Sequence, residues 1–131
     1  MRLARWIFRL AGIYGILLLA PMYFLERQVA GPAGVLPHAE NYYGFIGTAL
    51  AAQVLLLIIA QDPIRLRPAM LAGVLEKLAF GVPVWALWLQ GRVAAPVVVC
   101  GTIDLVLAAL FVLAYVRTPP GPPSPRAAEA G

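Results

Sequence analysis

Four long apolar runs separated by short polar breaks set out the chain. A helix that crosses a hydrocarbon core needs about 20 mostly apolar residues. Stretches at residues 5–25, 42–60, 69–89 and 93–116 supply them. The breaks differ in kind. Residues 26–41 form the longest, with Gly31, Pro32, Gly34 and Pro37. Asp62-Pro63 starts a tight turn, and Pro68 stands where a helix accepts a first-turn proline. Gln90-Gly91-Arg92 leaves so little chain that the third and fourth spans must form an antiparallel hairpin. Residues 118–131, rich in Pro, Gly and Ala, read as a disordered tail with nothing to pack against. The pattern predicts an all-α fold: an integral membrane four-helix transmembrane bundle over residues 1–117.

Composition points to the same solvent. Hydrophobic residues make up 62% and charged residues 12% of the 131, against about a quarter charged in a soluble domain. A chain this short cannot hide that much apolar surface from water, so the partner of its outer faces is the lipid bilayer. The net charge of +4 is scattered and carries no basic stripe with interleaved aromatics, which argues against nucleic acid. It reads instead as a topology signal. Arg2, Arg5, Arg9, Arg65, Arg67, Arg117 and Arg126 fall on one side, and only Arg27 and Arg92 on the other. This predicts N-in and C-in in a plasma membrane, the first span being a retained helix rather than a cleaved signal. Tyr23, Tyr42, Tyr43, Trp85 and Trp88 read as the outer aromatic belt, and Trp6 and Tyr115 as the inner one.

Charges inside the spans carry the chemical interest. Glu76 and Lys77 lie within the third span and Asp104 within the fourth, where each costs about 2.5–3.5 kcal/mol on insertion scales. At a rise of about 1.5 Å per residue, Lys77 sits roughly 12 Å from one edge of the core and Asp104 roughly 14 Å from the same edge. The two helices form a tight hairpin, so Lys77 and Asp104 are the predicted ion pair. Gln53 and Tyr14 reach the same level, and the layer thus comprises Tyr14, Gln53, Glu76, Lys77 and Asp104. Stripes of small residues predict close helix approach beside it: Gly73 and Gly81; Gly101 and Ala108; Ala11 and Gly15; Gly44, Gly47 and Ala51. Adjacent Glu76 and Lys77 point about 100° apart on a helix. On that ground Glu76 is left over by the pair and, with Gln53, becomes the ligand-facing candidate. Such a layer locks the bundle in register, holds a ligand, or moves a proton.

Other chemistries lack their residues. His38 is the single histidine, Cys100 the single cysteine and Ser124 the single serine. No metal or haem ligand set, disulfide or serine triad can be assembled from them within one chain. No catalytic residue and no cofactor is implied.

The stretch HAENYYGFIGTALAAQVLLLIIAQDPIRLR (38–67), its continuation RPAMLAGVLEKLAFG, and IDLVLAALFVLAY of the fourth span resemble a family of small bacterial four-helix membrane proteins. No activity comes with that resemblance. The size and four-span plan are also similar to the DoxX-like superfamily, which would imply a redox accessory role near the quinone pool, with Glu76 exchanging protons. The residues themselves favour a non-catalytic inner-membrane protein that binds a lipid-like ligand, a quinone or another membrane protein through its polar layer. A homo-oligomeric small-solute transporter is the third reading.

Overall fold

The computed structural model describes residues 2–122. All its regular structure is helical: α1 (Arg2–Leu19), α2 (Glu26–Ala30), α3 (Ala39–Gln61), α4 (Met70–Leu89) and α5 (Ala95–Arg117). A 3₁₀ turn, Ala20–Phe24, extends α1, and another, Arg67–Ala69, leads into α4. With these extensions four helices of 23 residues each are long and apolar enough to cross a membrane. The protein is a four-helix bundle of the multi-pass membrane type.

The surface explains why this chain needs lipid. Large apolar side chains face outward along every long helix, Leu17 at 71% and Leu75 at 68% exposed among them. Only a narrow stripe of each helix turns inward. On α4 that stripe is Met70, Gly73, Lys77, Gly81 and Val84, and on α5 it is Val98, Gly101, Ala108, Phe111 and Ala114. Helices that are apolar all round gain nothing from the hydrophobic effect by meeting each other in lipid, so packing and polar contacts must hold them.

Two close pairs build the bundle: α1 lies against α3, and α4 against α5, with α1–α5 and α3–α4 contacts joining the pairs. Glycines set both approaches. A Cβ on Gly81 would stand 2.9 Å from the Gly101 carbonyl oxygen and 2.8 Å from Leu105, and one on Gly101 would stand 2.7 Å from Val84. A Cβ on Gly12 would reach 2.8 Å from Leu57. Of the stripe expected on α3 only Gly47 meets a neighbour, a Cβ there standing 3.2 Å from the Tyr23 hydroxyl. Gly44 and Ala51 are exposed, and a Cβ on Gly44 would meet nothing within 4 Å. Ile46, Gln53, Leu56, Ile59 and Ala60 are the α3 residues that turn inward.

The two halves of the bundle differ. Toward the end that carries Arg2 and Thr118, the centre is filled: Phe8 and Phe111 stack with centroids 4.4 Å apart, and Ala4, Leu56, Ile59, Met70 and Ala114 close around them. Arg67 ties this end together. Its Nε donates to the Tyr115 carbonyl at 3.1 Å, and its guanidinium lies 3.9 Å over the Tyr115 ring. Thr118, where the tail begins, is buried, and its hydroxyl donates to the Ala114 carbonyl at 2.7 Å. Gly121 runs beside Ile64. The rest of the tail read as disordered, 123–131, lies outside the described residues. Toward the opposite end the buried core thins to Leu19, Ile46, Val84 and Val98, and a cavity opens beside it.

Candidate functional site

The filled half ends at the polar layer, about one to two turns above Phe8, Leu56 and Phe111. Gln53 is 1% and Lys77 4% exposed, while Asp104 and Glu76 side chains keep 14% and 25%. Lys77 Nζ stands 3.4 Å from Asp104 Oδ1, across the α4–α5 seam. It also stands 2.9 Å from Glu76 Oε2 and donates to Glu76 Oε1 at 3.3 Å. The 2.9 Å approach is off the hydrogen-bonding direction, so Oε2 is buried without a donor.

This corrects the expectation that Glu76 is left over. Backbone vectors 100° apart do not keep these two apart, because the lysine's four methylenes and the glutamate's two let both heads swing into the same space. Lys77 therefore serves two carboxylates, and Glu76 is the nearer.

Gln53 completes the cluster from α3. Its Nε2 donates to the Ala49 carbonyl at 3.0 Å and to Glu76 Oε1 at 3.3 Å. Both partners are acceptors, which fixes the amide orientation. Gln53 Oε1 then has no donor. It lies against Gly15 of α1, where a Cβ would collide with the amide. Glycine at this point of α1 is what lets a glutamine occupy the helix–helix seam. Tyr14 joins the layer as a wall residue and makes no side-chain hydrogen bond among the described residues.

Above this floor is a cavity of about 420 Å³. All four long helices line it: Tyr14, Leu18, Leu19 and Met22 with α1 and its extension; Tyr42, Phe45 and Ala49 from α3; Phe80 from α4; Pro96, Val97 and Cys100 from α5. Gln53, Glu76, Lys77 and Asp104 form its polar end. Phe45 and Phe80 stack at 5.9 Å across the α3–α4 side. Apart from Tyr14, Tyr42 and Cys100 the other walls are aliphatic, so the charged groups sit at one end of a largely apolar chamber. Cavities of this size suit small ligands.

The mouth lies under the 26–38 segment, whose Val29 reaches into the lining. Tyr43 donates to Glu26 Oε2 at 2.7 Å, and the Leu36 N–H donates to Glu26 Oε1 at 3.3 Å. Tyr42 donates to the Met22 carbonyl at 2.6 Å. The Tyr43 hydroxyl and then the Leu36 amide hold the Glu26 carboxyl below the ordinary carboxylate value. These contacts give both tyrosines a duty beyond the aromatic belt: Tyr43 fastens the start of the 26–38 segment to α3, and Tyr42 fastens the extension of α1. The sequence carried no signal for this, because Glu26 meets its partners over 10 and 17 residues of irregular chain. Cys100, the single cysteine, is a cavity-wall residue. His38 Nδ1 lies 3.2 Å from Glu40 Oε1, exposed and away from the cavity lining.

No family model, curated protein or solved structure matches the chain.

Proposed function

We propose that this protein is a non-catalytic membrane receptor for a small amphiphilic ligand, taken from the bilayer into the cavity between its helices. One observation carries the reading: the cavity of about 420 Å³ has apolar walls and one polar end made by Gln53, Glu76, Lys77 and Asp104. A bundle that used its charges only to lock its register would gain by closing over them, as the opposite half closes around Phe8 and Phe111. Here the charges border open space. Glu76 and Gln53 are the ligand-facing groups of this reading, and Lys77 holds the cluster as well as bounding the site. The setting proposed is a bacterial inner membrane, with both chain ends cytoplasmic. Seven arginines against two support the orientation, and the resemblance to small bacterial membrane proteins supports the compartment.

The test is native mass spectrometry of protein taken from its membrane into nanodiscs. One small amphiphile should stay with each chain. Ala49→Trp, which fills the cavity, should release it while the fold survives. Equal adducts on parent and variant would sink the proposal. A quinone, the occupant implied by a DoxX-like role, would be recognised in the same experiment by its mass and absorbance. A stoichiometric protein companion without a small molecule would move the reading to a membrane-protein partner.

A further inference from the structure

The charge and hydrogen-bond balance of the cavity floor narrows the ligand class. The polar side chains that line the cavity with Asp104, among the described residues, are Tyr14 from α1, Tyr42 and Gln53 from α3, and Glu76 and Lys77 from α4, with Cys100 one turn away on α5 itself. Two carboxylates stand against one ammonium. The cluster is balanced only with one more positive charge, and an unbalanced charge is costly where water is scarce.

Two acceptor atoms of the floor are inward: Gln53 Oε1 packs against Gly15, and Glu76 Oε2 is buried 2.9 Å from Lys77 Nζ. The groups that border the chamber are the Asp104 and Glu76 carboxylates, whose side chains keep 14% and 25% of their surface. The one polar contact that the Asp104 carboxylate makes among the described residues is Lys77, at 3.4 Å. Lys77 Nζ is already divided between the two carboxylates, and Gln53 Nε2 is spent on Ala49 and Glu76. Above these groups the chamber offers aromatic faces, Tyr14, Phe45 and Phe80, to whatever a ligand carries behind its head. Such faces also favour a cation.

We infer that the cavity takes a lipophilic primary ammonium, its N–H groups donating to the Asp104 and Glu76 carboxylates of the floor and its apolar body lying against Phe45, Phe80 and Leu18. In the empty protein a proton supplies the missing charge. The incoming ammonium replaces it, so each binding event releases one proton to the bulk and charge is conserved. The inference rests on the amphiphile reading above and specifies its head group.

Three probes of one shape separate the terms: 4-phenylbutylammonium, its N-trimethyl derivative, and neutral 4-phenylbutanol, each titrated calorimetrically into ligand-free protein in nanodiscs and corrected for empty nanodiscs. The primary ammonium should bind tightest, release about one proton in weakly buffered solution, and tighten by about tenfold per pH unit while the empty cluster holds the proton. The trimethyl derivative, with charge but no N–H, should bind more weakly, and the alcohol weakest without proton release. Asp104→Asn and Glu76→Gln each leave a balanced cluster, so each should abolish the proton release. Using both guards against one of them misfolding, which thermal unfolding reports. An alcohol that binds as tightly as the ammonium, or ammonium binding without proton release, would overturn the cation assignment and leave the cavity reading standing. A trimethyl derivative as tight as the primary ammonium would overturn the N–H contacts. If no probe binds, the cavity reading falls, and this inference with it.

Discussion

Lys77→Met is the sharpest perturbation of the cluster. Methionine matches the length and flexibility of the lysine stem, so little packing is lost. What goes is the one cation that stands 2.9 Å from Glu76 and 3.4 Å from Asp104. Removing one partner of a buried ion pair costs about 3–5 kcal/mol, because the other charge stays behind. Here one carboxylate charge stays behind, beside the carboxyl that holds the cluster's proton, so that range applies. The shared geometry makes a further demand. If Lys77 served Asp104 alone, Lys77→Met with Asp104→Leu would restore most of the stability. Because Glu76 is the nearer carboxylate, that double variant should stay well below the parent, and only the further change Glu76→Gln should bring it back to within about 1 kcal/mol. Thermal unfolding followed by the fluorescence of Trp6, Trp85 and Trp88 reads all four proteins. A Lys77→Met protein within about 0.5 kcal/mol of the parent, the range of an ordinary surface change, would refute the reasoning. So would a double variant as stable as the parent, since Glu76 would then have no share in the cluster.

Gly81→Ala and Gly44→Ala should behave oppositely. The first puts a methyl 2.9 Å from the Gly101 carbonyl oxygen and should cost about 1–3 kcal/mol by overpacking. The second meets nothing within 4 Å and should gain about 0.5–1 kcal/mol from helix propensity, both read by thermal unfolding. Gly15→Ala should displace the Gln53 amide, loosen its bond to Glu76 and lower both stability and ligand retention, the stability by about 1–3 kcal/mol. Glu26→Gln should speed amide hydrogen exchange in residues 27–38 at neutral pH, by weakening the hold of Tyr43 and Leu36. Since the Glu26 carboxyl is held below its ordinary value, its contribution is complete above that value and fades as the pH falls through the lowered one. Exchange in the parent, corrected for intrinsic rates, should therefore approach the variant's on acidification.

The parts of this fold that were legible in the sequence are those governed by length and depth. Apolar run length gives four spans, and the short Gln90–Arg92 break forces α4 against α5. Counting rise per residue brings Tyr14, Gln53, Glu76, Lys77 and Asp104 to one level, and the structure places all five at the boundary of one cavity. Helical angle was a poorer guide than depth. It separates Cα–Cβ bonds, whereas the Lys77–Glu76 contact forms several bonds further out. It also misjudged most of α3, where small-residue spacing pointed to Gly44, Gly47 and Ala51; Gly47 alone approaches a neighbour, Tyr23, and the inward side is Ile46, Gln53 and Leu56. A stripe of small residues marks a seam only when a neighbour comes close enough to use it, and that distance is set by the whole bundle. The mouth of the cavity was illegible for another reason. Its fastening by Glu26, Tyr42 and Tyr43 depends on where an irregular segment folds back, which neither period nor depth encodes.

Cys100 offers the most direct reading of the central claim, because the chain's single thiol lies on the cavity wall. The measurement is its alkylation rate by a small uncharged maleimide in ligand-free nanodiscs, for the parent, for Ala49→Trp, and for the parent saturated with 4-phenylbutylammonium. An open chamber that accepts amphiphiles predicts labelling of the empty parent, slowed severalfold both by the tryptophan and by the bound probe. A thiol that does not react in the empty parent, or reacts at one rate in all three, would contradict it.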